Sequence, residues 1–265
     1  MNMYWHELRM YRGTMIGWTV ALAGMAVMFM SMYPAFAEDA EQVQDMMKSL
    51  PEAVIQAVGL QIDGVATLLG FYSYIFLNIA LCGAIQAMQL GTSIVSKETR
   101  EKTADFLLTK PVTRGAVLTS KGLAALTVLA VTNVFYFGVS ALMAYSVQRE
   151  SFSFDTFALI NGSLFGLQLM FLAIGFAAAL LFPRLKTVLP LSLGSVFGFF
   201  MLSAVSEWTG DGPLRYVTPF QYFERSYIVE HGAYEPAFLI AGAVMVAGCI
   251  GFSFVRYLKR DVHVG

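Results

Sequence analysis

Residues 156–183 read TFALINGSLFGLQLMFLAIGFAAALLFP and contain no Asp, Glu, Lys, Arg or His. A helix needs roughly 20 mainly apolar residues to cross the ~30 Å hydrocarbon core of a bilayer. A transmembrane β-barrel would instead show alternating segments of about ten residues. The run is continuous, so it predicts a membrane-spanning helix whose backbone hydrogen bonds are satisfied within the helix itself.

Five further charge-free runs of similar length occur along the chain. The predicted spans are residues 14–37, 66–95, 122–147, 156–182, 187–205 and 236–256. The first run follows two arginines, as a signal peptide would, but a signal core has only about 7–15 apolar residues. We therefore interpret it as a retained span.

The composition of the 265 residues agrees with a membrane protein. Of these residues, 57% are hydrophobic and 13% are charged, whereas a soluble domain carries about 25% charged residues. Mean hydropathy is +0.63. The sequence predicts an all-α, polytopic membrane protein with six transmembrane helices in one domain, residues 1–265.

Lys and Arg residues are distributed unevenly between the two sides that six spans would create. With both termini on one side, that side holds 13 of the 17 basic residues. The four on the other side are Lys48, Arg149, Arg215 and Arg225. Because cytoplasmic loops carry the excess of Lys and Arg, we predict that both termini are cytoplasmic.

The segment before the first span, residues 1–13, is predicted to form an interfacial helix. Its apolar and aromatic residues at helical spacing are Tyr4, Trp5, Leu8 and Tyr11. The charged residues Glu7, Arg9 and Arg12 are expected on the opposite face. Such a segment suits the membrane interface, and a solvated terminus is the alternative.

Two outer loops are longer than simple connectors. Residues 38–63 predict one or two short amphipathic helices broken near Pro51. Residues 207–235 are rich in aromatic residues, which favour the headgroup layer, and Pro213 and Pro219 predict a broken helix that partly re-enters the membrane. The residues assigned to this re-entrant region are Tyr216, Pro219, Phe220, Tyr222 and Phe223.

The loop between the second and third spans, residues 97–114, combines charge with an apolar tip. Residues 96–121 read SKETREKTADFLLTKPVTRGAVLTSK. Pro111 stops a helix because it lacks an N–H donor, and Thr113 and Arg114 are expected to begin the next one. Exposed apolar groups rimmed by charge mark interaction sites, although leucines dipping into lipid are an equal alternative.

Residues able to carry out chemistry are not arranged as a catalytic or metal site. The chain has no phosphate-binding loop of the G-x-x-x-x-G-K-[ST] type, and its Cys and His residues show no zinc spacing. Polar residues within the spans are mainly amides and hydroxyls, which we expect to pack helix against helix. A membrane-embedded enzyme would need a Ser–His, paired Asp or His–Glu set there.

In the order of its motifs and in topology, this pattern resembles the permease subunits of type 2 ABC exporters. The residues that match a family signature are Glu98, Glu101, Thr103, Leu107, Leu108, Pro111 and Arg114. Residues 214–223, LRYVTPFQYF, are similar to the aromatic-Pro-Phe stretch before the last span of family members. The resemblance covers essentially the whole chain.

The resemblance implies a partner that hydrolyses ATP. Residues 97–114 would hold a cytoplasmic coupling helix that docks on one of two separate ATPase subunits. The implied docking residues are Glu98, Thr99, Glu101, Thr103, Phe106, Leu107, Leu108, Pro111 and Arg114. The chain itself would bind no cofactor and no metal, since ATP and Mg would belong to the ATPase.

The resemblance also implies a second permease, either another copy or a paralogue, in the inner membrane of a cell. Membrane lipids are expected partners, and nucleic acid is not. The scarcity of ionisable groups within the spans favours outward movement of an amphipathic or hydrophobic cargo such as a lipid, peptide or antibiotic. Sodium efflux, and a signalling or assembly role without transport, remain the alternatives.

Overall fold

The computed structural model describes residues 3–38, 67–100, 113–148, 151–182, 185–209 and 212–259, with the backbone alone at positions 98, 99 and 209. Within these ranges the chain forms eight α-helices and no strand. The helices are α1 (Met3–Met30), α2 (Tyr33–Glu38), α3 (Leu68–Arg100), α4 (Arg114–Val147), α5 (Phe154–Leu181), α6 (Leu189–Thr209), α7 (Arg225–His231) and α8 (Pro236–Leu258).

Six stretches of helix are long and apolar enough to cross a membrane, which confirms the predicted fold class. They are Met3–Glu38, Leu68–Lys97, Arg114–Val147, Phe154–Leu181, Leu189–Trp208 and Pro236–Leu258. Each overlaps one predicted span. The first stretch has a turn at residues 31–32 before Pro34, a residue that is tolerated in the first turn of a helix.

Helix α5 forms the centre of the bundle and is the most buried of the six stretches. It packs most closely against α3, while α1 packs along α4 and α8 lies against α5. Close approach of α3 and α5 depends on Gly91 and Gly175. A Cβ atom added at Gly91 would lie 2.5 Å from the Leu172 carbonyl oxygen, and one at Gly175 would lie 2.8 Å from the Met88 carbonyl oxygen.

The ends of the bundle differ in the elements that they carry. We call the end where α1 begins, α3 ends, α4 begins and α8 ends the basal end. The opposite end, where α3 begins and α6 ends, is the distal end. Two 3₁₀ turns, Pro213–Tyr216 and Pro219–Gln221, lie there together with α7.

One predicted boundary differs from the structure. The predicted interfacial helix of residues 1–13 is not a separate element, because α1 runs without a break from Met3 into the first span. Side-chain contacts hold its early turns against α3 and α4. The helix expected to begin at Thr113 and Arg114 does begin at Arg114, where the Thr113 hydroxyl caps it by accepting from the Ala116 N–H.

Several predictions concern residues outside the described part of the chain. The amphipathic helices of the first outer loop fall there, apart from the end of α2. So do residues 101–112, which contain most of the predicted docking surface. The predicted docking residues outside the described side chains are Glu98, Thr99, Glu101, Thr103, Phe106, Leu107, Leu108 and Pro111.

Candidate functional site

Three charged side chains meet inside the basal end, and we call them the basal charge cluster: Glu7, Lys97 and Lys121. Glu7 Oε2 lies 3.7 Å from Lys97 Nζ, and Glu7 Oε1 lies 3.8 Å from Lys121 Nζ. Glu7 is only 3% exposed and Lys121 is fully buried. Since buried charges are costly unless they are paired, the three side chains stabilise one another.

The cluster joins three helices. Glu7 comes from the second turn of α1, Lys97 from the last turn of α3, and Lys121 from the second turn of α4. The Lys121 ammonium also donates to the Ile94 carbonyl of α3. A helix carboxyl end carries a partial negative charge that favours cations, so both lysines suit the end of α3.

The predicted interfacial residues lie beside this cluster. The Tyr4 and Thr127 hydroxyls are 2.9 Å apart, which links α1 to α4, and the Tyr11 hydroxyl lies 3.1 Å from the Ser93 hydroxyl of α3. Leu8 packs against the core. Trp5 alone of the four is strongly exposed, at 63%.

The prediction that Glu7 faces away from these aromatic residues is wrong. A short amphipathic stretch indicates which residues share an apolar face and which share a polar face. It does not indicate whether basic side chains of other helices pack close enough to pair with Glu7. Here Lys97 and Lys121 supply that partner, so Glu7 turns inward. Its burial was missed because its partners lie far away in the sequence.

Arg114 is the predicted docking residue whose side chain the structure describes. It lies half-buried at the start of α4, and its Nη1 atom donates to the Leu258 carbonyl oxygen at 3.4 Å. This contact ties the root of residues 101–112 to the end of α8. The side chain therefore bridges two helices at the basal end.

The distal end carries a compact cap built from residues 212–235. Two glycines of α5 leave room for side chains of the cap: the Phe223 ring lies at Gly166, and the Tyr234 hydroxyl lies at Gly162. At Gly242 of α8, the Tyr222 ring lies next to the Met170 methyl group, which is the closer of the two. The Tyr234 hydroxyl donates to the Leu159 carbonyl oxygen at 2.7 Å. The cap is thus fixed on α5 and α8 by shape as well as by hydrogen bonds.

The residues predicted to form a re-entrant region all belong to this cap. Pro219 and Tyr222 are buried, and Phe220 packs against Phe171 of α5, with ring centroids 5.3 Å apart. Tyr216 is half-exposed and its ring lies 5.0 Å from that of Phe238. Each of the two prolines, Pro213 and Pro219, begins a 3₁₀ turn, and re-entry of this region into the membrane stays a prediction.

Electrostatic contacts hold the cap together, and the sequence patterns did not reveal them. Arg215 Nη2 donates to Glu224 Oε2 at 2.9 Å and to Glu235 Oε2 at 2.7 Å. Its guanidinium lies 4.0 Å from the centre of the Phe238 ring. Arg225 donates to the Ser73 carbonyl oxygen of α3 at 2.9 Å.

Burial changes the acid–base properties of this cap. It raises the pKa of Tyr234 to about 12, and it raises the pKa of Tyr222, with a further contribution from Tyr216. Burial lowers the pKa of Arg225, while the charges of Glu207 and Glu224 oppose that change. The raised pKa values of Tyr222 and Tyr234 keep both hydroxyls protonated to a higher pH than usual.

Amides within the bundle form the internal network that the sequence predicted as helix packing. Gln168 Nε2 donates to Gln86 Oε1 at 3.1 Å, and Asn133 Nδ2 donates to Gln168 Oε1. Gln86 also donates to the Thr132 hydroxyl at 3.3 Å. Because the network connects α3, α4 and α5, it fixes their relative rotation.

Two small cavities lie in the part of the bundle that the structure describes. A cavity of about 70 Å³ lies between α1, α3 and α4, beside Trp18, Gln89 and Ser93. Another of about 30 Å³ lies at the distal end, beside Glu207 and Arg225. Among the described side chains, no three His, Cys, Asp or Glu residues could together hold a metal ion.

Comparison with known families identifies the type of protein. The family described as "Multidrug efflux system permease Rv1217c, C-terminal domain" matches residues 7–253. No curated protein matches the chain. The family match spans all six membrane-crossing stretches and both ends of the bundle. The chain is therefore a multi-pass membrane protein that belongs to this efflux permease family.

Proposed function

We propose that this chain is the permease subunit of a type 2 ABC exporter, driven by a separate ATPase and moving an amphipathic or hydrophobic cargo outward. The main support is the family match to an efflux permease over residues 7–253. The resemblance of the Glu98–Arg114 motif to the family signature adds the ATPase as the source of energy.

The lengths of α3 and α4 favour a docking role for the segment between them. They have 33 and 34 residues, so each is about 50 Å long at 1.5 Å per residue. A bilayer hydrocarbon core is only about 30 Å thick. Two helices of this length, joined by residues 101–112, suit a hairpin that reaches beyond the membrane to a soluble partner.

The charge at the base of that hairpin fits the same interpretation. Lys97 and Lys121 stand on either side of residues 101–112 and share Glu7. Arg114 adds a contact to α8. A force applied to the hairpin would therefore reach α1, α3, α4 and α8 together, as transport driven by a partner requires.

Co-purification tests the ATPase partner. The tagged full chain in detergent is expected to retain an ABC ATPase, and Glu98→Ala with Leu107→Asp is expected to lose it. The matched control is Glu230→Ala with Val217→Asp, which makes the same types of change at exposed distal positions. Equal ATPase recovery from both double variants would refute docking through residues 97–114.

Reconstituted vesicles test cargo and direction. With ATPase and ATP outside inside-out vesicles, we expect ATP-dependent uptake of a neutral hydrophobic dye such as Nile red. Uptake of radioactive Na⁺ instead would support sodium efflux. ATPase binding without movement of either probe would support a signalling or assembly role.

A further inference from the structure

We infer that Glu7 is a positioning residue that joins α1 to both roots of residues 101–112, so that movement of this segment is transmitted to α1. The inference deepens the proposed function and rests on it for the link to transport. Glu7 touches Lys97 at the last turn before the segment and Lys121 in the second turn after it.

The first argument is the position of the three charges. Residues 101–112 connect to the rest of the chain through the ends of α3 and α4. Lys97 and Lys121 are the side chains by which these two ends contact Glu7. One carboxylate on a third helix, α1, therefore contacts both helix ends that flank residues 101–112.

The second argument is the cost of assembling such a cluster. Apolar residues of similar size would often stabilise a buried site as well as an ion pair does. Removing Glu7 leaves two buried lysines without a counter-charge, which is strongly destabilising. The contact among the three helices therefore depends on this one carboxylate.

The third argument is the looseness of the two ion contacts. At 3.7 and 3.8 Å they exceed the 2.7–2.9 Å of a charge-assisted hydrogen bond. Within the described residues, Glu7 Oε2 is buried and has no hydrogen-bond partner. The carboxylate can therefore shorten its contact with one lysine at the expense of the other when α3 and α4 shift.

The contact made by Glu7 differs in kind from its neutral neighbours on α1. The Tyr4 hydroxyl pairs with the Thr127 hydroxyl of α4, and the Tyr11 hydroxyl pairs with the Ser93 hydroxyl of α3. Glu7 contacts Lys97 of α3 and Lys121 of α4 with one carboxylate, by charge.

Hydrogen exchange on the full chain tests the joining role without any ATPase. Glu7→Gln keeps the shape and removes the charge, and Glu230→Gln, at an exposed position on α7, is the matched control. We expect Glu7→Gln to speed amide exchange in residues 3–12 and in residues 114–121 at least about fivefold, the lower end of usual coupling effects. Exchange in α5 should not change.

A variant that keeps the charge separates positioning from simple packing. Glu7→Asp retains a carboxylate toward both lysines, so its exchange in both segments is expected to be slower than that of Glu7→Gln. If Glu7→Gln speeds exchange only in residues 3–12, or if Glu7→Asp exchanges as fast as Glu7→Gln in both segments, the joining role is wrong. Should Glu7→Gln not fold, Lys97→Gln takes its place. It removes the contact between Glu7 and α3 and leaves the one to Lys121, so faster exchange is expected at the end of α3, in residues 93–97, with residues 114–121 unchanged. Unchanged exchange in residues 93–97 would overturn the inference.

A second measurement tests transmission. In vesicles with the ATPase, Glu7→Gln should keep ATPase binding and lower Nile red transported per ATP at least about fivefold. Unchanged transport per ATP would overturn transmission through Glu7. If the wild-type chain binds no ATPase, the proposed function fails, and hydrogen exchange still decides whether Glu7 joins the three helices.

Discussion

Replacing Gly91 by alanine should destabilise the bundle at the crossing of α3 and α5. The added Cβ would lie 2.5 Å from the Leu172 carbonyl oxygen, whereas ordinary contacts begin near 3.4 Å. It would also lie 3.3 Å from the Cα atom of Gly175. Because the nearest atoms belong to backbone, no side chain can rotate away, and the two helices must separate by most of an ångström.

The size of the effect follows from two opposed contributions. Overpacking costs about 1–3 kcal/mol, and a contact with rigid backbone belongs near the upper limit. Alanine gains about 1 kcal/mol over glycine within a helix. We therefore expect the free energy of unfolding to fall by about 2 kcal/mol for Gly91→Ala.

Gly138→Ala on α4 is the matched control, since nothing lies within 4 Å of its added Cβ. The free energy of unfolding of Gly138→Ala should change only by the gain in helix propensity, about 1 kcal/mol. Thermal unfolding in detergent, followed by size-exclusion chromatography, measures both variants. A loss of about 2 kcal/mol corresponds to roughly 4–8 °C in the midpoint for a chain of this size. Equal midpoints for the two variants would refute the assigned crossing.

Three other predictions concern the cap and the internal network. Arg215→Gln should destabilise the cap by about 1–3 kcal/mol because charge-assisted hydrogen bonds are lost, and the distal end should be cleaved faster by protease. Arg256→Gln is the control at an exposed position. Equal rates of cleavage for the two variants would contradict the prediction. The folded-state pKa of Tyr234 is raised to about 12, so the stability that its neutral hydroxyl contributes is complete below pH 10 and decreases as pH rises from 10 to 12. Tyr234→Phe should therefore make the denaturant midpoint fall less steeply between pH 10 and 12. An unchanged slope would exclude this contribution of Tyr234. Gln168→Leu should cost about 1–3 kcal/mol because its amide partners lose hydrogen bonds, whereas Gln89→Leu, at a side chain with no hydrogen bond among the described residues, should cost little in the same thermal assay.

The basal end shows how far local patterns reach. The sequence predicted a helix that begins at Thr113 and Arg114, and α4 begins at Arg114 with Thr113 as its cap. The inward rotation of Glu7 did not follow, because its stabilising partners come from α3 and α4. The docking role predicted for residues 97–114 stays a prediction.

The distal cap divides in the same way. Pro213 and Pro219 predict interruptions because proline lacks a donor and fixes its backbone. Phe223 packs at Gly166 and Tyr234 at Gly162, and these contacts exist only because folding brings α5 against the cap. Sequence could supply the aromatic density but not these pairings.

By itself, the sequence determined an all-α membrane protein with six spans, since long apolar runs without charge have no other stable environment. Helix α5 illustrates the limit of that reasoning, because it is apolar on all sides and its periodicity indicates no preferred face. Only the tertiary structure decided that Gly175 meets Gly91 and that Glu7 is held by two lysines. These contacts depend on the relative rotation and register of helices, and backbone hydrogen bonds within each helix leave both free.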